Sequence, residues 1–220
     1  MKKITLSAIA LIGALTLNAQ DEAPKLSVSG TVDAYYQTYL TAPDDVSGSF
    51  GTSFADEAGF ALGMANVVLS YDGEKTGMVA DLAFGPRGDA AIGQSLEEGN
   101  VGQYLNQLYA YWNVSESTTL TVGRFNTFLG YEVISPAGNF NYSTSYLFSN
   151  GPFSHVGLKA DFALSEDFSL MLAVMNPTDT NNNTTGDYGF GAQLGYAGQY
   201  LNLYYDNDSV LGFEIDYTGG

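Results

Sequence analysis

Six charged side chains stand on segments of alternating polarity, each opposite a row of apolar residues: Asp33, Asp81, Lys159, Asp161, Glu214 and Asp216. A charge on a strand whose other face is greasy must find water. Turned toward lipid, a basic group would cost about 2–4 kcal/mol at the midplane and an acidic one somewhat less. The six therefore point to the wet side of the segments that carry them, which is a lumen if those segments close around water. Arg124 shares parity with Leu120 and Val122 and should face outward, unless Gly123 breaks the register with a bulge and turns it in. Charges of both signs along a lumen set up a transverse field that orients polar solutes. The same charges, paired, would merely seal a plugged barrel, and the residue pattern leaves both outcomes open.

Other chemistry is weaker. Ser154-His155 with Asp161 further along is the nearest approach to a hydrolytic set, but a lone His without a nucleophile motif or paired carboxylates does not make one. The run Gly189-Phe190-Gly191-Ala192-Gln193-Leu194-Gly195 has one residue too many for a dinucleotide loop and lies inside an alternating segment. Asp44, Asp45, Asp56, Glu57, Glu97 and Glu98 offer hard oxygen ligands without EF-hand spacing, so they read as solvated loops. No catalytic residue, metal site or cofactor is expected.

Composition decides which elements hold the charged groups. The 220 residues are 45% hydrophobic, yet mean hydropathy is only -0.03, because 26 Gly and many Ser, Thr, Asn and Asp offset the apolar share. Sixteen Tyr and few Lys suit strands with one wet and one greasy face. Seven basic residues against 24 acidic ones leave a net charge of -17, which repels phosphate backbones and excludes nucleic acid as a partner. An acidic disordered tail is excluded by the 14% aromatic content. Without cysteine there is neither a disulfide nor a thiolate metal site.

Residues 1–19 read as a cleavable signal peptide. Lys2-Lys3 precede an apolar run from Ile4 to Leu17, and Ala19 offers the cleavage residue. Beyond it no stretch of about 18 apolar residues occurs, so a membrane-spanning role for 20–220 would need strands. Period-two alternation supplies them. In the first segment Leu26, Val28, Val32, Ala34, Tyr36 and Leu40 share one face; Ser27, Ser29, Thr31, Asp33, Tyr35 and Gln37 share the other. The pattern predicts ten strands near 26–40, 59–71, 76–85, 102–114, 118–127, 154–164, 167–176, 188–197, 199–206 and 209–217. Tight turns at 72–75, 115–117, 165–167 and Gly198 alternate with long loops at 41–58, 86–101, 128–153 and 177–187, the brief Asp206-Asn207-Asp208 being the exception. An outer-membrane barrel shows that asymmetry, with short periplasmic turns and long extracellular loops; a soluble sandwich has no cause to.

Between 123 and 160 the residues are more specific. Gly123-Arg124-Phe125, Leu129-Gly130-Tyr131-Glu132-Val133-Ile134, Asn141-Tyr142-Ser143, Leu147-Phe148, Pro152-Phe153, His155 and Gly157-Leu158-Lys159-Ala160 resemble the OmpL-like β-barrel porins (porin type 2) of Gram-negative outer membranes, as does Val28-Ser29-Gly30-Thr31-Val32-Asp33-Ala34-Tyr35-Tyr36. The resemblance covers essentially all of 20–220. It implies an antiparallel transmembrane barrel, and a basic residue in the Tyr-Ser-x-Ser stretch, where this chain has Thr144. Family barrels are longer, and Tyr217-Thr218-Gly219-Gly220 reads like a turn about to continue, so a chain incomplete at its C-terminus is expected, with a closed ten-strand barrel as the alternative.

Loop 128–153 is too aromatic for a solvent-exposed tip. It is expected to fold inward as a constriction carrying Tyr131, Glu132, Asn141, Tyr142 and Thr144, though packing on neighbouring loops or an added strand pair would also account for it. The expected function is passive diffusion of small hydrophilic solutes, cations and neutral ones before anions. Five lumen acids (Asp33, Asp81, Asp161, Glu214, Asp216) face only Lys159 and, if turned in, Arg124. A non-conducting structural or adhesive barrel is the alternative. Expected partners are outer-membrane lipid, small polar solutes and the barrel-assembly machinery; a homo-oligomer is left open.

Overall fold

A computed structural model describes residues 25–38, 54, 57–92, 101–206 and 210–217, with backbone alone for 101 and 210–217. The signal segment 1–19, Leu40, and the loop acids Asp44, Asp45, Asp56, Glu97 and Glu98 lie outside the described residues.

Ten strands form one antiparallel sheet in chain order: β1 (Lys25–Gln37), β2 (Gly59–Asp72), β3 (Thr76–Phe84), β4 (Leu105–Ser115), β5 (Thr118–Asn126), β6 (Ser154–Ala163), β7 (Phe168–Met175), β8 (Gly189–Tyr196), β9 (Gln199–Asp206) and β10 (Val210–Tyr217). Every strand pairs with its chain neighbours, the pattern of a meander, and among the described residues no ladder joins β10 to β1. The sheet is strongly curled. In a flat sheet β4 and β9 would stand about 24 Å apart at ~4.8 Å per strand, yet Tyr109 of β4 and Tyr200 of β9 line the same cavity.

The four turns β2–β3, β4–β5, β6–β7 and β8–β9 are short and gather at one end of the sheet. Gly73 N–H donates to the Thr76 carbonyl at 2.9 Å, and the Ser115 and Ser165 hydroxyls accept backbone N–H groups of Ser117, Asp167 and Phe168 in their own turns. The β8–β9 turn is Ala197-Gly198, both with positive φ (48° and 81°), as a two-residue turn matched to strand twist requires.

Alternation sorts the side chains onto two faces. The outer face carries Val32 (82% exposed), Phe60 (91%), Leu62 (72%), Val122, Leu158 and Leu172. In water that contiguous apolar surface would be penalised at about 25 cal/mol per Å²; lipid removes the penalty. Aromatic pairs sit at both rims, Tyr36–Phe60 and Phe84–Tyr104 toward the long loops and Phe168–Tyr196 toward the turns. Trp112, the single tryptophan, also faces outward near the turns. Rims of this kind match the two interfaces of a bilayer.

Two of the long connections carry short helices. Segment 86–101, expected as a solvated loop, begins with helix α1 (Pro86–Ile92), started by Pro86, and a 3-10 turn (Val101–Tyr104) delays β4 to Leu105. Segment 127–153 adds no strand; it contains a 3-10 turn (Pro136–Gly138) and a short helix α2 (Tyr146–Asn150), whose first turn is capped by the Ser145 hydroxyl accepting from Phe148 N–H. The apolar interior lies inside the curl. Phe54, Met64, Ala83, Ile92, Ile134 and Phe148 form one cluster; Phe125, Met171, Met175 and Tyr204 form a second.

Candidate functional site: the inner face and its cavity

The inner face begins with a chain of polar contacts across the first four strands. Asp81 receives hydrogen bonds on both oxygens, from Asn66 Nδ2 (3.1 Å) and Asn106 Nδ2 (2.6 Å), and is 4% exposed. Asn66 Oδ1 in turn accepts from the backbone N–H and hydroxyl of Thr31, at 2.8 and 2.7 Å. Asp33 accepts from Met64 N–H (3.0 Å) and from the Tyr142 hydroxyl. Two bulges make these contacts. Asp33 stands against both Gly63 and Met64, and Asn106 is the extra residue between the Asp81–Gln107 and Leu82–Leu105 pairs. A bulge re-aims a side chain without ending the ladder. Asp33 and Asp81 thus turn toward the inner face, Asp33 within reach of loop residue Tyr142. Asp81, however, is sealed among amides instead of standing in open water.

Arg124 is 5% exposed, so it does not lie on the lipid face that its parity with Val122 predicted. Gly123 has φ +131°, but the pairing of β5 with β4 and β6 stays unbroken there. Arg124 Nε donates to the Asn106 carbonyl (3.2 Å) and Nη1 to the Asn181 side chain. That tie, with Asp179, fixes the polar run 178–185 against β5 and the start of β6. Asp179 accepts from the backbone N–H groups of Phe153 (3.0 Å) and Ser154 (2.9 Å), and Thr178 N–H donates to Asp206 (2.6 Å). Burial pushes the Asp179 carboxyl above the usual carboxylate range, opposed by those N–H groups and by Arg124.

Loop 127–153 crosses the inside of the curl and is held at both ends. Its Tyr142 reaches Asp33 on β1, and Gln193 Nε2 of β8 donates to the Phe128 carbonyl (3.0 Å). Its central anchor is Arg87 of α1, a residue that the sequence reading missed. Arg87 is 4% exposed; Nε donates to the Ile134 carbonyl (2.6 Å), Nη1 to the Tyr142 carbonyl (2.9 Å), and the guanidinium lies 4.7 Å from the Phe54 ring centre. Desolvation lowers its pKa, with Tyr142, Asp33 and Glu132 opposing. The same burial, with the hydrogen bond to Asp33, pushes the Tyr142 phenol up.

The five loop residues singled out from sequence divide. Glu132 (7% exposed) accepts from the Ser145 N–H (2.8 Å) and hydroxyl, and Thr144 (3%) meets the Ser149 hydroxyl, so both hold the loop together. Tyr131 lines one cavity, Tyr142 another, and Asn141 is exposed. His155 is 2% exposed, with Nε2 3.1 Å from the Thr127 hydroxyl and its ring among Phe125, Phe128 and Tyr204.

Below the loop the inner face opens into a cavity of about 590 Å³. Strands β4, β5, β6, β8 and β9 supply its wall, and residues 126–131 its roof. Here the charges are wet. Lys159 and Asp161 form an ion pair at 3.0 Å with side chains 26% and 41% exposed, and the Lys159 ammonium also lies 5.6 Å from the Phe125 ring centre. The backbone register sets Glu214 opposite Asn202 and Asp216 opposite Tyr200; their side chains lie outside what is described.

A family model described as "Putative beta-barrel porin-2, OmpL-like" matches residues 25–212. No curated protein and no solved structure matches the chain. The match takes in nearly every described strand, the inner-face network, loop 127–153 and the cavity, and the chain belongs to this OmpL-like β-barrel porin family, whose place is the outer membrane.

Proposed function

We propose that the chain forms a channel for passive diffusion of small hydrophilic solutes across the outer membrane, after export through residues 1–19. The observation that carries this reading is the cavity of about 590 Å³ on the inner face, walled by hydroxyl, amide and tyrosine side chains from five strands. A polar, water-accessible lumen inside an apolar outer face is what such diffusion needs. Lys159 and Asp161 cancel each other within the cavity, so neutral solutes pass best. The acidic chain as a whole favours cations over anions at its mouths. The residues Asp33, Asp81 and Arg124 shape the lumen from beneath its surface, and the loop that carries Tyr131 and Tyr142 narrows it.

The full chain reconstituted in a planar bilayer should give discrete conductance steps, with reversal potentials in a KCl gradient showing weak cation preference. A second reading, a non-conducting barrel that displays its loops, is favoured by one observation: the apolar cluster around Ile92 and Ile134 fills the inner face beneath β2 and β3. Folded protein that gives no conductance steps selects it.

A further inference from the structure

We infer that the inner-face cavity is a binding site for neutral carbohydrate, a proposal that rests on the channel reading and names its solute. Three features carry it. The first is the aromatic wall. Tyr109, Tyr111, Tyr131 and Tyr200 line the cavity together with Phe125 and Phe128. Tyr111 and Tyr200 lie over glycines of the neighbouring strand: a Cβ on Gly77 would fall 2.3 Å from Tyr111 Cζ, and one on Gly195 3.0 Å from Tyr200 Cε1. With one side of the ring laid on bare backbone, the other side is turned to the lumen. The C–H groups of a sugar ring carry slight positive charge and settle on the negative face of such a ring.

The second feature is paired hydrogen-bonding character. Gln107 accepts from Asn126 N–H with its Oε1 (3.2 Å), which leaves its amide donors toward the cavity. Gln193 donates its Nε2 to the Phe128 carbonyl and to Asn202 Oδ1 (2.8 Å), which leaves its Oε1 as an acceptor. Thr119 donates to Asn113 Oδ1 (2.9 Å) and keeps lone pairs free. A solute that both donates and accepts, as every sugar hydroxyl does, matches this wall; an ion matches half of it.

The third feature is charge. The ionised groups that line the cavity, Lys159 and Asp161, are already joined at 3.0 Å. A phosphate or carboxylate entering would have to break that pair and meet Asp161, and a neutral solute would not. A volume of about 590 Å³ lies within the ~300–1,000 Å³ of ordinary small-molecule sites.

The test uses the full chain and sucrose. In bilayers, sucrose should interrupt the ion current in a saturable way, and calorimetry on detergent-folded protein should show binding over the same concentrations. Tyr111→Ala with Tyr200→Ala should raise the half-blocking concentration about tenfold, whereas Tyr200→Phe, which keeps the ring, should shift it by less than about twofold. Glutamate at equal concentration should neither bind nor block. Conductance without saturable block, or block by glutamate equal to that by sucrose, overturns the proposal and leaves the channel intact. Sucrose binding without conductance supports the site and overturns the channel. Should the double variant lose its heat-resistant electrophoretic form, the Tyr200→Phe shift and the glutamate control decide alone.

Discussion

Under β1–β4, Asp81 and Arg87 are dry and tied to amides or backbone carbonyls; under β4–β9, Lys159 and Asp161 are wet and tied to each other. The two pairs share a sheet, an inner face and the same kinds of residue, yet they use charge in opposite ways; Arg124 of β5, 5% exposed, behaves like the dry pair. Burial makes an unmet polar group expensive, so the dry side demands every partner it has. Partial exposure makes an ion pair nearly neutral for stability and leaves it free to act on solutes. A charge inside a barrel is therefore not by its sign alone a selectivity element. Its solvation decides.

Four substitutions sharpen this comparison. The largest effect is expected at Asp81. Asp81→Leu strands the amide groups of Asn66 and Asn106 inside the wall and should lower unfolding stability by about 3–5 kcal/mol, read from the urea midpoint in detergent; a loss below about 1 kcal/mol would show that the network does not hold the sheet. Arg87→Met removes both bonds to loop 127–153 and should cost about 2–3 kcal/mol. It should also free the loop, raising single-channel conductance and opening 127–153 to chymotrypsin; an unchanged cleavage pattern argues against Arg87 as the anchor. Lys159→Met belongs to the wet side. Stability should move by less than about 1 kcal/mol, while Asp161, left unpaired, shifts the reversal potential toward cations at 0.1 M salt. The shift should fade at 1 M, where the Debye length falls from ~10 to ~3 Å; insensitivity to salt would place the pair outside the conducting path. Ala197→Asn, in the β8–β9 turn away from both regions, should add about 0.5–1 kcal/mol by relieving a left-handed alanine, and selectivity should not change.

The strands were legible in the sequence because alternation is a local property repeated along each of them. In 154–164, Val156, Leu158, Ala160 and Phe162 oppose His155, Lys159 and Asp161, and the ladders confirm that parity pair by pair. The dry network was not legible. It depends on bulges at Gly63–Met64 and Asn106, and a bulge shows only when two strands are set side by side. Arg87 escaped notice because its partners are backbone carbonyls 47 and 55 residues away. Its one local signal was placement: an arginine directly after Gly85-Pro86, where a proline starts a helix, in a chain with few basic residues. The five lumen acids were counted from strand parity, which tells the face of a side chain but not its burial: Asp81 is on the inner face and only 4% exposed.

Trp112 has a practical consequence of its own. It is the single tryptophan, half exposed on the outer face close to the turn end of β4. Indole emission responds to the polarity around the ring, so this residue reports whether that rim has entered hydrocarbon, with no label attached. Vesicles carrying brominated acyl chains quench an indole by contact. Bromines at successive carbon positions would therefore measure the depth of the rim and time its arrival during insertion from urea, with one native fluorophore serving as both ruler and clock.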